Sequence, residues 1–114
     1  MSSQDVVELE MNIKEAKELV ELGKSLERLE KNRDFKKVIQ EHYLNKEAVR
    51  LVHAKGDAAM QDPKHQANIL RDIDGIGSFT QFLNFLRYQA EMAKDAIREC
   101  EDVLDDLRAE GADE

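Results

Sequence analysis

In the N-terminal part of the chain, Leu9, Ile13, Ala16, Leu19, Leu22, Leu26 and Leu29 follow one another at steps of three or four. That is the period of one face of an α-helix. The intervening positions are mostly charged, and Glu10/Lys14, Glu21/Lys24 and Glu27/Lys31 are spaced for side-chain pairing on the exposed surface. The pattern predicts an amphipathic helix over about 4–31. Gly23 reads as its weak point, since Gly costs about 1 kcal/mol relative to Ala in a helix interior.

Asn32-Arg33-Asp34 is the first break, with residue types that cap a new helix. Phe35, Val38, Ile39, His42 and Tyr43 then form one face of a short helix. Near Leu44-Asn45 the pattern can restart, with Ala48, Val49, Leu51 and Val52 as its apolar set. One helix or two are therefore expected over 34–55, ended by Lys55-Gly56-Asp57 with Gly56 as a left-handed cap. Asp62-Pro63 opens the last element: Asp favours the cap position and Pro the first helical turn.

From there a long helix is predicted over 63–109, with 110–114 as a tail and Gly75 and Gly77 as the place where it can bend. Its seam is Phe79, Leu83, Leu86, Ala90, Ala93, Ile97, Cys100, Leu104 and Leu107, alternating steps of four and three in the manner of a coiled coil. Phe82, Phe85, Met92, Ala96 and Val103 widen it, which points to a contact beyond a two-stranded pairing. The fold expected is all-α: a single domain, an elongated helical hairpin or bundle. The first helix returns against the C-terminal half of the last, and the middle helices pack as a small head on the Phe-rich stretch. Phe79, Phe82, Leu83, Phe85 and Leu86 are its expected core, and the thin core per residue predicts self-association.

Composition sharpens this picture. The 114 residues include 17 Lys/Arg and 25 Asp/Glu, for a net charge of −8, with no Trp, one Cys and one Pro. No run approaches the ~20 apolar residues of a membrane span. The N-terminus lacks the basic and apolar regions of a secretory signal. The ends are acidic and the middle nearly neutral, which disfavours nucleic acid and anionic membranes as partners. One cysteine excludes an internal disulfide and a Cys-rich zinc site.

Candidate chemistry is sparse. Asp72, Asp74, Gly77 and Phe79 match four positions of a calcium loop, but Ile76 and Leu83 stand where oxygen ligands belong. A helix with two glycines is the preferred reading. His42, His53 and His65 lack the Glu-x-x-His spacing of di-iron bundles and are read as surface residues. Cys100, between Glu99 and Glu101, is in a setting that raises a thiol pKa, so it reads as a small seam residue. No phosphate loop, serine elbow or paired zinc ligand is present, so no catalytic, metal or cofactor-binding residue is assigned and no cofactor is expected. Glu99, Asp102, Asp105 and Asp106 form an acidic cluster, read first as a solvated face and second as a protein-docking surface. Arg33, Lys36, Lys37, Lys46 and Arg50, interleaved with Phe35 and Tyr43, make the middle locally basic.

Three stretches carry a resemblance: Asn32-Arg-Asp-Phe-Lys-Lys-Val-Ile39, Glu47-Ala-Val-Arg-Leu-Val-His53 and Ile73-Asp-Gly-Ile-Gly77. Together they resemble small all-helical proteins of tailed bacteriophages. The resemblance implies a viral origin, with the host cytoplasm or the virion as location, and carries no functional residue. The expected function is a non-enzymatic virion or assembly protein, a small structural, connector or scaffold-like subunit. Its expected partners are its own copies or other phage proteins. The alternatives are an acidic binder that inhibits a host nucleic-acid enzyme and, more weakly, a nucleic-acid-binding regulator using the basic middle.

Overall fold

A computed structural model describes residues 3–112 and is all-α, with no strand among them. Helix α1 spans Ser3–Lys31, α2 Arg33–Phe35, a π-helical segment Lys36–Glu47 and α3 Ala48–Gly56. A 3-10 turn over Ala58–Met60 leads to α4, Pro63–Ala112, which is 50 residues long. Residues 110–112, expected as tail, continue this helix; 113 and 114 lie outside the described residues. Helix α4 also passes through Gly75 and Gly77 without leaving helical geometry.

The junctions follow from local chemistry. Asn32 is extended, and its Oδ1 accepts from the backbone N–H groups of Asp34 and Phe35, both at 3.0 Å. That satisfies donors that a helix start leaves without a partner. Asp62 caps α4: its Oδ2 accepts from the His65 N–H at 3.2 Å, with Pro63 next in line. The end of α3 departs from expectation, because no glycine has a positive φ. Chain reversal instead comes at Asp57, which is extended and whose Oδ1 accepts from the Ala59 N–H. The side-chain amides of Gln61 and Gln66 both donate to the Lys55 carbonyl, at 2.9 and 3.0 Å. Two glutamines thus do what a left-handed glycine does elsewhere.

Contacts gather into two compact units, residues 1–26 with 85–114 and residues 27–84. In the first, α1 runs antiparallel to the C-terminal part of α4. Gly23 faces Ala90, and Arg108 Nη2 donates to Glu10 Oε1 at 3.3 Å. Small residues set this packing. A Cβ built at Gly23 would lie 2.4 Å from the Ala90 Cβ, so glycine is required for the approach. Ile13, Ala16, Ala90, Ala93 and Leu104 are buried here. Val20 is half-buried, while Leu22, expected inside, is exposed, as is Leu29 of the second unit.

In the second unit the core is Leu51, Ile69 and Ile76, with Tyr43, Leu44, Ala48, Ala54, Met60 and Ile73 packed around it. Tyr43 and Phe79 meet edge to face, with ring centroids 6.0 Å apart and planes at 82°. The π segment changes which side chains reach this core. Its i→i+5 bonds take one more residue per closed turn than an α-helix, and 12 residues is long for a form that mostly occurs as single turns. The half-buried apolar positions are Phe35, Ile39, Tyr43, Leu44 and Ala48, with Ile39 and Leu44, and Tyr43 and Ala48, each five residues apart. Val38 and His42, which an α-helical period turns inward, are exposed, as are Val49 and Val52. No break occurs at Leu44-Asn45.

Candidate interaction surface

The predicted seam divides between the units. Phe79 is half-buried and Leu83 buried in the second; Leu86, Ile97, Cys100 and Leu107 are half-buried and Ala90, Ala93 and Leu104 buried in the first. The residues that widen the seam behave otherwise. Phe82 and Phe85, expected in the core, are 56% and 54% exposed, and Tyr88 and Met92 are 62% and 50% exposed. The physical reason is phase. At about 100° per residue, Phe85, Met92 and Val103 lie roughly a third of a turn from the line through Ala90, Ile97 and Leu104. A single partner helix on that line leaves them outside. Large rings raise the expectation of burial, but an exposed contiguous group of them carries information that an isolated leucine does not.

In the first unit the hairpin of α1 and α4 has two flanks. One holds a cleft of about 270 Å³ lined by Asp5, Glu8, Leu9, Asn12, Val103 and Leu107. The same helical phase brings Leu19, Leu22, Phe85 and Met92 to this flank. The other holds an open groove of about 780 Å³ with Ile13 and Leu104 at its base and Lys14, Lys17, Glu18, Glu101 and Arg108 along its walls. The acidic residues singled out from sequence do not act as one cluster. All four are exposed, but Glu99 and Asp106 lie beside Val103, Asp102 points away from α1, and Asp105 falls toward the Glu101 side. Adjacent positions on a helix stand about 100° apart, so Asp105 and Asp106 cannot share a flank.

Charge is divided between the units as well. The first has 7 Lys/Arg against 16 Asp/Glu, the second 10 against 9, and all three histidines belong to the second. There Lys31, Arg33, Lys36, Lys37 and Glu41 line a shallow cleft of about 370 Å³. Lys46 stands exposed, and Arg50 is spent on Glu47, whose carboxylate accepts from its guanidinium and raises its pKa.

The remaining candidates are accounted for in the second unit. Asp72 to Phe79 is helix, so its carboxylates cannot converge as a calcium loop requires. Gly75 sits where a Cβ would come 3.7 Å from the Tyr43 hydroxyl, an ordinary contact. His42 and His53 are exposed, and His65 Nδ1 pairs with Asp62 Oδ1 at 2.5 Å. The His65 side chain, followed by its backbone N–H, holds the Asp62 carboxyl below the ordinary value. Among the described residues no three His, Cys, Asp or Glu side chains gather as metal ligands. No helix there is long and apolar enough to cross a membrane.

Comparison with protein-family models, curated proteins and solved structures finds no match to this chain.

Proposed function

We propose that this protein is a non-enzymatic interaction subunit that works through helix–helix contacts, as a small structural, connector or scaffold-like component of a tailed-phage particle or of its assembly. The observation that carries this reading is the exposure of Phe85, Tyr88 and Met92 on α4 and of Leu22 on α1, all in the first unit. Aromatic residues and Met are the types enriched where proteins meet. The all-helical architecture and the three phage-like stretches support the particle or assembly context.

The test is quantitative mass spectrometry of purified particles and of their assembly precursors from the virus that encodes the chain. A fixed copy number in either, lost when Phe85→Gln and Met92→Gln are combined, is the expected result. Absence from both overturns the assembly reading.

The uncompensated acids on the same flank favour a second reading, an acidic binder that occupies a basic site on a host nucleic-acid enzyme. In that case inhibition of the enzyme should disappear with Glu99→Lys and Asp106→Lys while helicity stays unchanged.

A further inference from the structure

The two flanks of the α1–α4 hairpin differ in charge more than in shape. The flank that carries Phe85, Met92 and Val103 also carries Asp5, Glu8, Glu15, Glu99, Asp106 and Glu110, all of them exposed. Helical phase places every Lys and Arg of this unit, from Lys14 on α1 to Arg108 on α4, toward the opposite flank. The visible ion pairs agree, since Lys94 pairs with Glu91 and Arg108 with Glu10. Among the described residues none of the six acids takes part in an ion pair. The apolar positions of this flank recur along α4 at Phe85, Met92, Ala96 and Val103, a span of about 27 Å.

We infer that this flank takes a cationic amphipathic helix of another protein as the third helix of a bundle, with its apolar side on Phe85, Met92 and Leu22 and its Lys/Arg side against the acids. The inference rests on the interaction-subunit reading above and names the chemistry of the partner. Helix-in-groove recognition works in this way, with apolar anchors supplying affinity and flanking charges supplying selection. A second copy of the chain fits this flank poorly: two like faces related by a two-fold axis would set six carboxylates against six. Nucleic acid is repelled by the same groups.

The experiment is fluorescence-anisotropy titration of the full-length protein into a labelled 18-residue Leu/Lys helix-forming peptide, with a same-composition peptide of permuted, non-amphipathic order as control. The amphipathic peptide should bind, more weakly as salt rises, and the permuted peptide should not. Glu99→Lys with Asp106→Lys should weaken binding by at least about tenfold. Glu101→Lys with Asp105→Lys, the same change in net charge on the opposite flank, should leave it within about twofold. Circular dichroism verifies that each variant is folded, and Glu99→Gln with Asp106→Gln repeats the test with a milder change. Equal loss from both flanks, or equal binding of both peptides, would overturn the inference in favour of unspecific charge attraction. A doubled mass of the protein alone in light scattering, abolished by Phe85→Gln with Met92→Gln, would overturn it in favour of a second copy. Failure of the peptide to bind while that double variant is still lost from particles removes this partner and leaves the subunit reading standing.

Discussion

The two units build their interiors from different materials. In residues 27–84 the core is Leu51, Ile69 and Ile76 with an edge-to-face Tyr43–Phe79 pair beside them, and large side chains fill the space. In residues 1–26 with 85–114 the helices approach through Gly23, Ala16, Ala90 and Ala93, with Ile13, Leu26 and Leu104 buried beside them, while Leu22, Phe85 and Met92 stay outside. A close approach through small residues buries less apolar surface per residue than a leucine-rich core. The first unit leaves Leu22, Phe85, Tyr88 and Met92 at its surface, whereas the second packs its Tyr43–Phe79 pair against its core while Phe82, Val38 and Val52 stay exposed.

Leu51 is only 1% exposed, so the largest effect is expected there. Leu51→Ala should cost roughly 2–5 kcal/mol in a denaturant melt. A cost below ~1 kcal/mol would mean that the second unit is not held by this core and would erase the contrast. The next largest effect is expected at a glycine. Gly23→Ala gains about 1 kcal/mol of helix propensity but drives a methyl group into Ala90, an overpacking cost of about 1–3 kcal/mol. Net destabilisation is expected, relieved by Ala90→Gly. Gly77→Ala, also within α4 but with open space around it, should instead stabilise by up to about 1 kcal/mol.

The smallest effect concerns pH. The Asp62 carboxyl is held low by the His65 side chain and then by its backbone N–H. Because the folded value is depressed, its contribution is complete above the ordinary carboxylate range and is lost as the pH falls through the lowered value. An NMR titration should therefore place Asp62 below an exposed reference aspartate, and Asp62→Ala should flatten the acid side of the stability curve. Coincidence of the two titrations would contradict the cap.

The legibility of the sequence differs between the units for physical reasons. From Leu86 to Leu107 the chain is an undistorted α-helix, so counting threes and fours finds the positions that turn inward. Gly23 was legible as a glycine in a helix but not as a necessity, because its reason is Ala90, 67 positions away in the sequence. Between Lys36 and Glu47 counting fails, since a π segment advances its face by a different step and carries Val38 and His42 outward. Phe82 and Phe85 were expected inside as part of the Phe-rich stretch on which the middle helices pack, yet phase decides it. The charge asymmetry of the hairpin is written in the sequence but becomes readable only once the direction of α1 from α4 is known.

In the proposed role Phe85 and Met92 serve contact with another chain and not the fold. The most direct test is the unfolding free energy of the Phe85→Gln, Met92→Gln double variant, measured by denaturant melt beside the wild type. Gln is a good helix former, so propensity does not obscure the result. A change within about 0.5 kcal/mol is expected for each site, the range of surface substitutions. A loss of several kcal/mol would show that both side chains belong to the core and that the flank is not free to bind.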